Sequence, residues 1–316
     1  MLGTLVSPEH VKQLAALATA ADRHWIQFDP ALLKDGYNRR PFVVNHLLAE
    51  HPMFTFDALF ALCRRMPESM VKLRIGVVPV DTDFDKSLNS FNHGMQLDDA
   101  IANFVQRQAY IVVNNPELDE VYRPIIEGFV GEIARHTETL EPGLNWYSTY
   151  IFITAQGAVT PYHMDREMNF LLQVCGTKTV RLWDPFDNEI MSPAQKDQLL
   201  ADRDEPRPPY HPSFEQKAMI FELEPGLGVH HPFIAPHLVK TGPAPSISLA
   251  ITFRTQRSDI WTDAHCFNQR LRKLGLRPAP VGRHPVVDLG KAILLRTLRR
   301  ARGTLRFALK HTPTSA

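Results

Sequence analysis

The pattern of apolar and polar positions gives the chain two textures. Up to about residue 110 the apolar residues recur at helical spacing. Ser7-Pro8-Glu9 reads as a helix start running to about Ala21: a capping hydroxyl, a proline at the first helical position and an acid near the positive dipole end. Thr55-Phe56-Asp57 opens a second helix, with Phe56, Leu59, Phe60 and Cys63 on one stripe. Leu97-Asp98-Asp99 opens a third, to about Gln106, and residues 74–96 read as extended and loop structure. Gln108 to Val113 reads as a strand. Residues 116–137 read as a helix, with Tyr122, Ile125, Ile126 and Val130 in helical register; Pro124 kinks it or marks a second start.

Near residue 146 the period shortens. Tyr147–Ala155, Asn169–Val174, Thr177–Trp183, Ala218–Leu223 and Ser246–Phe253 read as short strands set apart by Gly and Pro. The last alternates cleanly. Ile247, Leu249, Ile251 and Phe253 form one face; Ser246, Ser248, Ala250 and Thr252 form the other, which suits the wall of a ligand-holding interior. Arg181 and Trp183 read as exterior residues of such a barrel. Residues 185–216, rich in Pro, Asp and Arg, read as a long loop insertion, a lid or binding loop. The expected architecture is mainly β with helices (α+β): a double-stranded β-helix, or jelly roll. A helical region at 1–110 packs on a β core at 111–257, followed by a basic helical extension at 258–316.

Composition narrows the field. With 316 residues, 44% hydrophobic and 22% charged, the chain is ordinary for a globular protein, and a net charge of +1 gives no global field for nucleic acid. Cys63, Cys175 and Cys266 are odd in number and widely spaced, which argues for a reducing compartment; Cys175 beside a turn glycine reads as inert. The first residues lack a charged leader and a long apolar core, and no apolar run reaches membrane length, so a cytoplasmic location is expected. Residues 283–316 carry eight Lys or Arg against Asp288. There Leu294, Leu298, Ala301, Leu305 and Ala308 form one stripe, and Arg296, Arg299, Arg300, Arg306 and Lys310 another, with Gly303 a weak point. The stripes suit a helix packed on the barrel or on a second copy of the chain, and less readily a membrane surface or other anionic partner.

The chemistry concentrates in Thr160-Pro161-Tyr162-His163-Met164-Asp165. On a strand, residues two apart share a side, so His163 and Asp165 can offer an imidazole and a carboxylate to one point. A third ligand must come from His211, His230, His231 or His237. Two histidines and one carboxylate form the facial triad of non-heme Fe(II) oxygenases, with positions left for a bidentate co-substrate and O2; a zinc hydrolase uses the same set. Lys178 lies on the strand after the Cys175-Gly176-Thr177 turn, and a lysine inside a β core needs an anionic partner.

Together with Asn169-Phe170, Gln173, Gly176, Lys178 and Pro185, this run resembles the JmjC-type, cupin-like Fe(II)/2-oxoglutarate-dependent oxygenases, the asparaginyl hydroxylases among them. The resemblance is close over residues 145–184 and fair over 222–254. It implies that His163, Asp165 and His237 ligate Fe(II), and that Lys178 and Thr160 hold the far carboxylate of 2-oxoglutarate. Tyr110 stands where the family places a tyrosine hydroxyl on that carboxylate; Asn169 falls near the metal-binding end of the co-substrate and Thr252 at a polar position of the last barrel strand. It further implies hydroxylation of a peptide, protein or small-molecule substrate with release of succinate and CO2, and a homodimer through C-terminal helices. One departure stands out: where the family runs aliphatic-aromatic-Ile-Pro ahead of the third ligand, this chain has Gly228-Val229-His230-His231-Pro232. The rival expectations are a non-catalytic cupin-like binding or regulatory protein, and a cupin metalloenzyme without 2-oxoglutarate. The latter usually carries an H-x-H pattern, absent here.

Overall fold

A computed structural model describes residues 3–20, 24–89, 91, 93–204 and 206–310, with backbone alone at 19–20, 88–89 and 302–310. The chain divides into two compact units, Met1–Ile190 with Pro209–Thr255, and Met191–Pro208 with Gln256–Ala316.

The first unit opens with β1 (Thr4–Leu5), α1 (Pro8–Ala20), β2 (Ile26–Gln27), α2 (Pro30–Gly36), β3 (Val43–His46) and α3 (Phe56–Arg65). Thr55 caps α3 through the Ala58 N–H, and Leu59, Leu62 and Cys63 bury its apolar stripe. Next come β4 (Val71–Arg74), α4 (Phe84–Asn89), α5 (Leu97–Ala102), β5 (Tyr110–Asn114) and α6 (Arg123–Thr137). Two expectations change here. The 74–96 stretch contains a helix, α4, and α5 stops at Ala102 rather than Gln106. Pro124 does mark a second start: Pro116–Leu118 is a separate short turn, and α6 begins with the proline inside its first turn.

The strands that follow are β6 (Leu144–Thr154), β7 (Val159–Met164), β8 (Met168–Cys175), β9 (Lys178–Leu182), β10 (Met219–Leu223), β11 (Leu227–His231), β12 (Pro236–Thr241) and β13 (Ser246–Thr255). Among the described residues they build two antiparallel sheets. The larger has the order β2-β3-β11-β8-β13-β6-β5-β4, with β1 on β6; the smaller has the order β10-β9-β12-β7. The β8–β9 turn needs its glycine: Gly176 has φ +67°, and a Cβ there would stand 2.3 Å from the Pro245 carbonyl oxygen. The interior between the sheets is filled by Leu171, Val180, Leu182, Leu223, Val229, Ala235, Val239 and Ala250, with Tyr150 and Phe152 packed against them. This is the expected α+β jelly roll, and Ala250 confirms that the small-residue face of β13 points inward. Trp183 is a correction. It is fully buried, covered by Tyr162 and by Tyr210 and Phe214 of the following segment, with its indole N–H on the Phe214 carbonyl. Arg181 stays partly exposed beside Glu215.

The second unit contains α7 (Pro193–Ala201), α8 (Gln256–Lys273) and α9 (Pro285–Lys310). The 185–216 stretch is therefore not an unbroken loop. Ser192 and Gln195 form a capping box that starts α7, and Asp197 on it accepts from His265 Nδ1 at 2.7 Å and Arg272 Nε at 2.6 Å. On α9, Asp288, Ala292 and Leu295 are buried while Val286, Ile293, Leu294 and Leu298 are exposed. Arg296 and Arg299 both reach Asp263 at 2.6 Å, so this part of the basic stripe is engaged within the unit. The side chains of Leu305, Arg306, Ala308 and Lys310 lie outside the described ones, and Gly303 falls within α9.

Candidate metal centre and its interior

Register explains how the interior is graded. Val229, Leu171 and Ala250 face inward, so residues two positions along each strand do too. His231, Asn169, Thr252 and Ser148 are cross-strand neighbours and form one row. The next row is apolar: Val229, Leu171, Ala250 and Tyr150. Gln173, Ser248 and Phe152 follow, and then Ser246, Thr154, Tyr110 and Arg74. The interior thus has a polar end, an apolar belt and a second polar end.

His163, Asp165 and His237 gather at the first end, each offering one ligand atom within 4.8 Å of the others. His163 is paired with His237 across β7 and β12, and Asp165 lies just past the end of β7. Each imidazole Nδ1–H donates to a carbonyl two residues earlier, Pro161 at 2.8 Å and Ala235 at 3.0 Å. A carbonyl only accepts, so Nδ1 carries a proton and Nε2 is the atom turned toward the carboxylate. Both Nε2 atoms lie 3.9 Å from an Asp165 oxygen. Two imidazoles and a carboxylate so arranged suit a borderline divalent cation such as Fe(II) or Zn(II). The Phe84 ring stacks on His163, 3.7 Å between centroids and 3° between planes. The turn that brings in His237 is strained: the Ala235 N–H closes onto the Pro232 carbonyl, and Ile234 sits at φ +55°, where a β-branched residue is rare.

The other histidine candidates separate by their partners. His230 uses both nitrogens, accepting from the Asn38 N–H and donating to the Asn169 carbonyl. His211 lies outside this cluster and caps the Pro212–Lys217 turn through Ser213. His231 is 2% exposed with its ring 4.5 Å from that of His237, yet neither ring nitrogen has a partner among the described residues. Burial holds it neutral. The Asn169 Oδ1 beside it in the row is likewise unpartnered, whereas Thr252 donates to the Ser148 carbonyl at 2.7 Å.

At the far end stands Lys178. Its Cα is paired with Thr241, four residues along β12 from His237, about 13 Å of strand. The ammonium is 3% exposed, meets Ser248 Oγ at 2.5 Å and lies 5.4 Å from the Phe152 ring centroid. No carboxylate among the described residues pairs with it, and burial brings it down to about 7. Around it are hydroxyls: Tyr110 to Thr160 at 2.7 Å and Thr154 to Thr241 at 3.0 Å. Burial raises the Tyr110 phenol, so this hydroxyl is a donor at neutral pH. Arg74, which nothing in the sequence singled out, lies over the Tyr110 ring.

Residues 34–257 match the family of the cupin-like domain. No curated relative matches the chain. Among solved structures, YcfD of Escherichia coli is similar at 14% identity, covering 90% of this chain and 63% of its own, with a TM-score of 0.43. YcfD described as a ribosomal oxygenase in complex with cobalt and 2-oxoglutarate is similar at 14% identity, covering 85% and 67%, with a TM-score of 0.43. A mutant of the Bacillus subtilis oxalate decarboxylase OxdC is similar at 13% identity over 35% and 22%, with a TM-score of 0.24. The chain spans 63% of the length of the first of these. No helix among the described residues is long and apolar enough to cross a membrane. With the family match extending over most of its length, this chain is a member of the cupin-like domain family.

Proposed function

We propose that the protein is an Fe(II)- and 2-oxoglutarate-dependent oxygenase that hydroxylates a peptide, protein or small-molecule substrate. The single observation that carries this reading is the two-ended interior. A two-histidine, one-carboxylate cluster stands at one end, and an ammonium without a counter-charge at the other, across an apolar belt. A ligand with a metal-chelating head, a short apolar spacer and an anionic tail is complementary to both ends at once, and 2-oxoglutarate has that form. When bound, iron and 2-oxoglutarate would activate O2 to hydroxylate a substrate C–H bond, one oxygen atom entering the product and the other the succinate that forms from the keto acid with loss of CO2.

His163, Asp165 and His237 would hold the iron, their tautomers fixed by the Pro161 and Ala235 carbonyls. Lys178, steadied by Ser248, would take the distal carboxylate, with the Tyr110 and Thr160 hydroxyls completing its hydrogen bonds. Leu171, Val180, Val239 and Ala250 give the stretch between the two ends its apolar lining. Asn169 lies in the row at the metal end, where it would meet the chelating end of the co-substrate or the substrate itself.

A zinc hydrolase or a non-catalytic cupin-like protein would need the triad or the fold but not a buried, unpaired lysine. The test is succinate formation from 2-oxoglutarate by the iron-loaded protein, together with visible absorbance on mixing iron and 2-oxoglutarate. Both signals are expected in the wild type and lost in His163→Ala and Asp165→Ala. Iron binding without a response to 2-oxoglutarate would favour a 2-oxoglutarate-independent cupin enzyme.

A further inference from the structure

Arg74 is the last residue of β4, and its Cα is paired with that of Tyr110. Paired residues of neighbouring strands project from the same face, so the guanidinium follows the Tyr110 ring inward, its Cζ 4.1 Å from the ring centroid. Nη2 donates to the Val159 carbonyl at 2.6 Å. Among the described residues Nε and Nη1 meet no acceptor, although the residue is 1% exposed. No carboxylate among the described residues pairs with it.

A guanidinium is donor-only and keeps its proton inside proteins. Burying it without a counter-charge is among the costlier things a core can contain. Packing does not require the charge, since an unbranched apolar side chain fills similar space. Nor does the contact with Val159 account for it, because the remaining donors have nothing to meet among the described residues. What the position does provide is a fixed positive charge on the face of Tyr110. The Tyr110 hydroxyl meets Thr160 Oγ1, at the same end of the interior as Lys178.

We propose that Arg74 is a positioning residue that, through Tyr110, makes the far end of the interior selective for a ligand ending in a carboxylate. The cation lying against the ring withdraws electron density and strengthens the phenol as a hydrogen-bond donor. Its field also adds to that of Lys178 in a low-dielectric interior, so a neutral tail is disfavoured twice over. The inference rests on the 2-oxoglutarate reading. It adds a property that reading does not demand, since one lysine suffices to pair one carboxylate.

The experiment uses the full chain loaded with Mn(II) and measures, by titration calorimetry, Kd for 2-oxoglutarate and for 2-oxopentanoate, which has the same chain with a methyl in place of the distal carboxylate. The wild type should prefer 2-oxoglutarate strongly. Arg74→Gln should lose at least about tenfold in 2-oxoglutarate affinity and change 2-oxopentanoate by less than about threefold. Arg74→Lys, which keeps the charge, should retain most of the preference. A preference unchanged in Arg74→Gln, or parallel weakening of both ligands, overturns the inference by reducing Arg74 to a structural clasp. If Arg74→Gln does not fold, Arg74→Met, which fills similar space without the charge, takes its place. The preference must then fall, and an unchanged one overturns the inference. A wild type that binds Mn(II) but neither keto acid overturns the co-substrate reading itself, and this inference with it.

Discussion

Two sets of buried charge stand in contrast. In the helical unit, Asp197 is 1% exposed and is met by His265, Arg272 and the Asn268 amide, and Asp263 holds Arg296 and Arg299. Inside the barrel, Lys178 and Arg74 are as deeply buried, and neither has a counter-charge among the described residues. A compensated charge is explained by the chain alone. One with neither a counter-charge nor a full set of hydrogen bonds marks a place that a bound group would complete. The pattern of missing partners therefore separates scaffold from site.

The sharpest way to break this contrast is to remove a charge from each side. Asp197→Ala strands a histidine and an arginine and should cost about 3 kcal/mol or more in chemical denaturation. Lys178→Met should leave unliganded stability unchanged, or raise it by up to about 2 kcal/mol, while weakening 2-oxoglutarate by at least about a hundredfold. If Lys178→Met unfolds the protein as Asp197→Ala does, the distinction fails.

The third prediction concerns pH. Lys178 is lowered from 10.5 to about 7, so between those values the unfolded chain carries more protons than the folded one. Unliganded stability should then rise with pH across that window, and the cost of the buried charge is felt in full below it. A carboxylate tail needs the ammonium, so above pH 7 its binding should draw in up to one proton and weaken by as much as about tenfold per pH unit. Calorimetry in buffers of different ionisation enthalpy reads the proton directly; binding without uptake at pH 8 contradicts the pairing. The smallest effect expected is at His231, whose unpartnered nitrogens should make His231→Leu more stable by roughly 1 kcal/mol with Mn(II) affinity unchanged. Lost metal affinity would instead make it a ligand.

Much of this is legible in the sequence, for identifiable reasons. β6, β8, β9, β10 and β13 announce themselves by alternation or by apolar runs bounded by turns. β7, β11 and β12 are harder to read, because Pro161, Gly228 and Pro236 interrupt their patterns and their pairing is decided by distant strands. α7 is hidden by the composition around it, although Ser192-Pro193-Ala194-Gln195 spells a capping box. The motif from Thr160 to Asp165 and the lysine after the glycine turn point to residues that the fold gathers at the two ends of one interior. Arg74 is different. In sequence it is one basic residue in an unremarkable stretch, and only its cross-strand pairing with Tyr110 makes it interior.

The left-handed turn at Ile234 bears on assembly. Its φ of +55° sits where glycine or asparagine would settle unaided, so an isoleucine has no local reason to stay there. What enforces it is the closed barrel: Ile234 is 5% exposed, and Asn38, far upstream, receives the Phe233 N–H. The arm that carries His237 is thus set by contacts distant in sequence, and such contacts form late in folding. A chain still emerging during synthesis would hold His163 and Asp165 but not His237, so the candidate metal cluster becomes complete only once the barrel has closed.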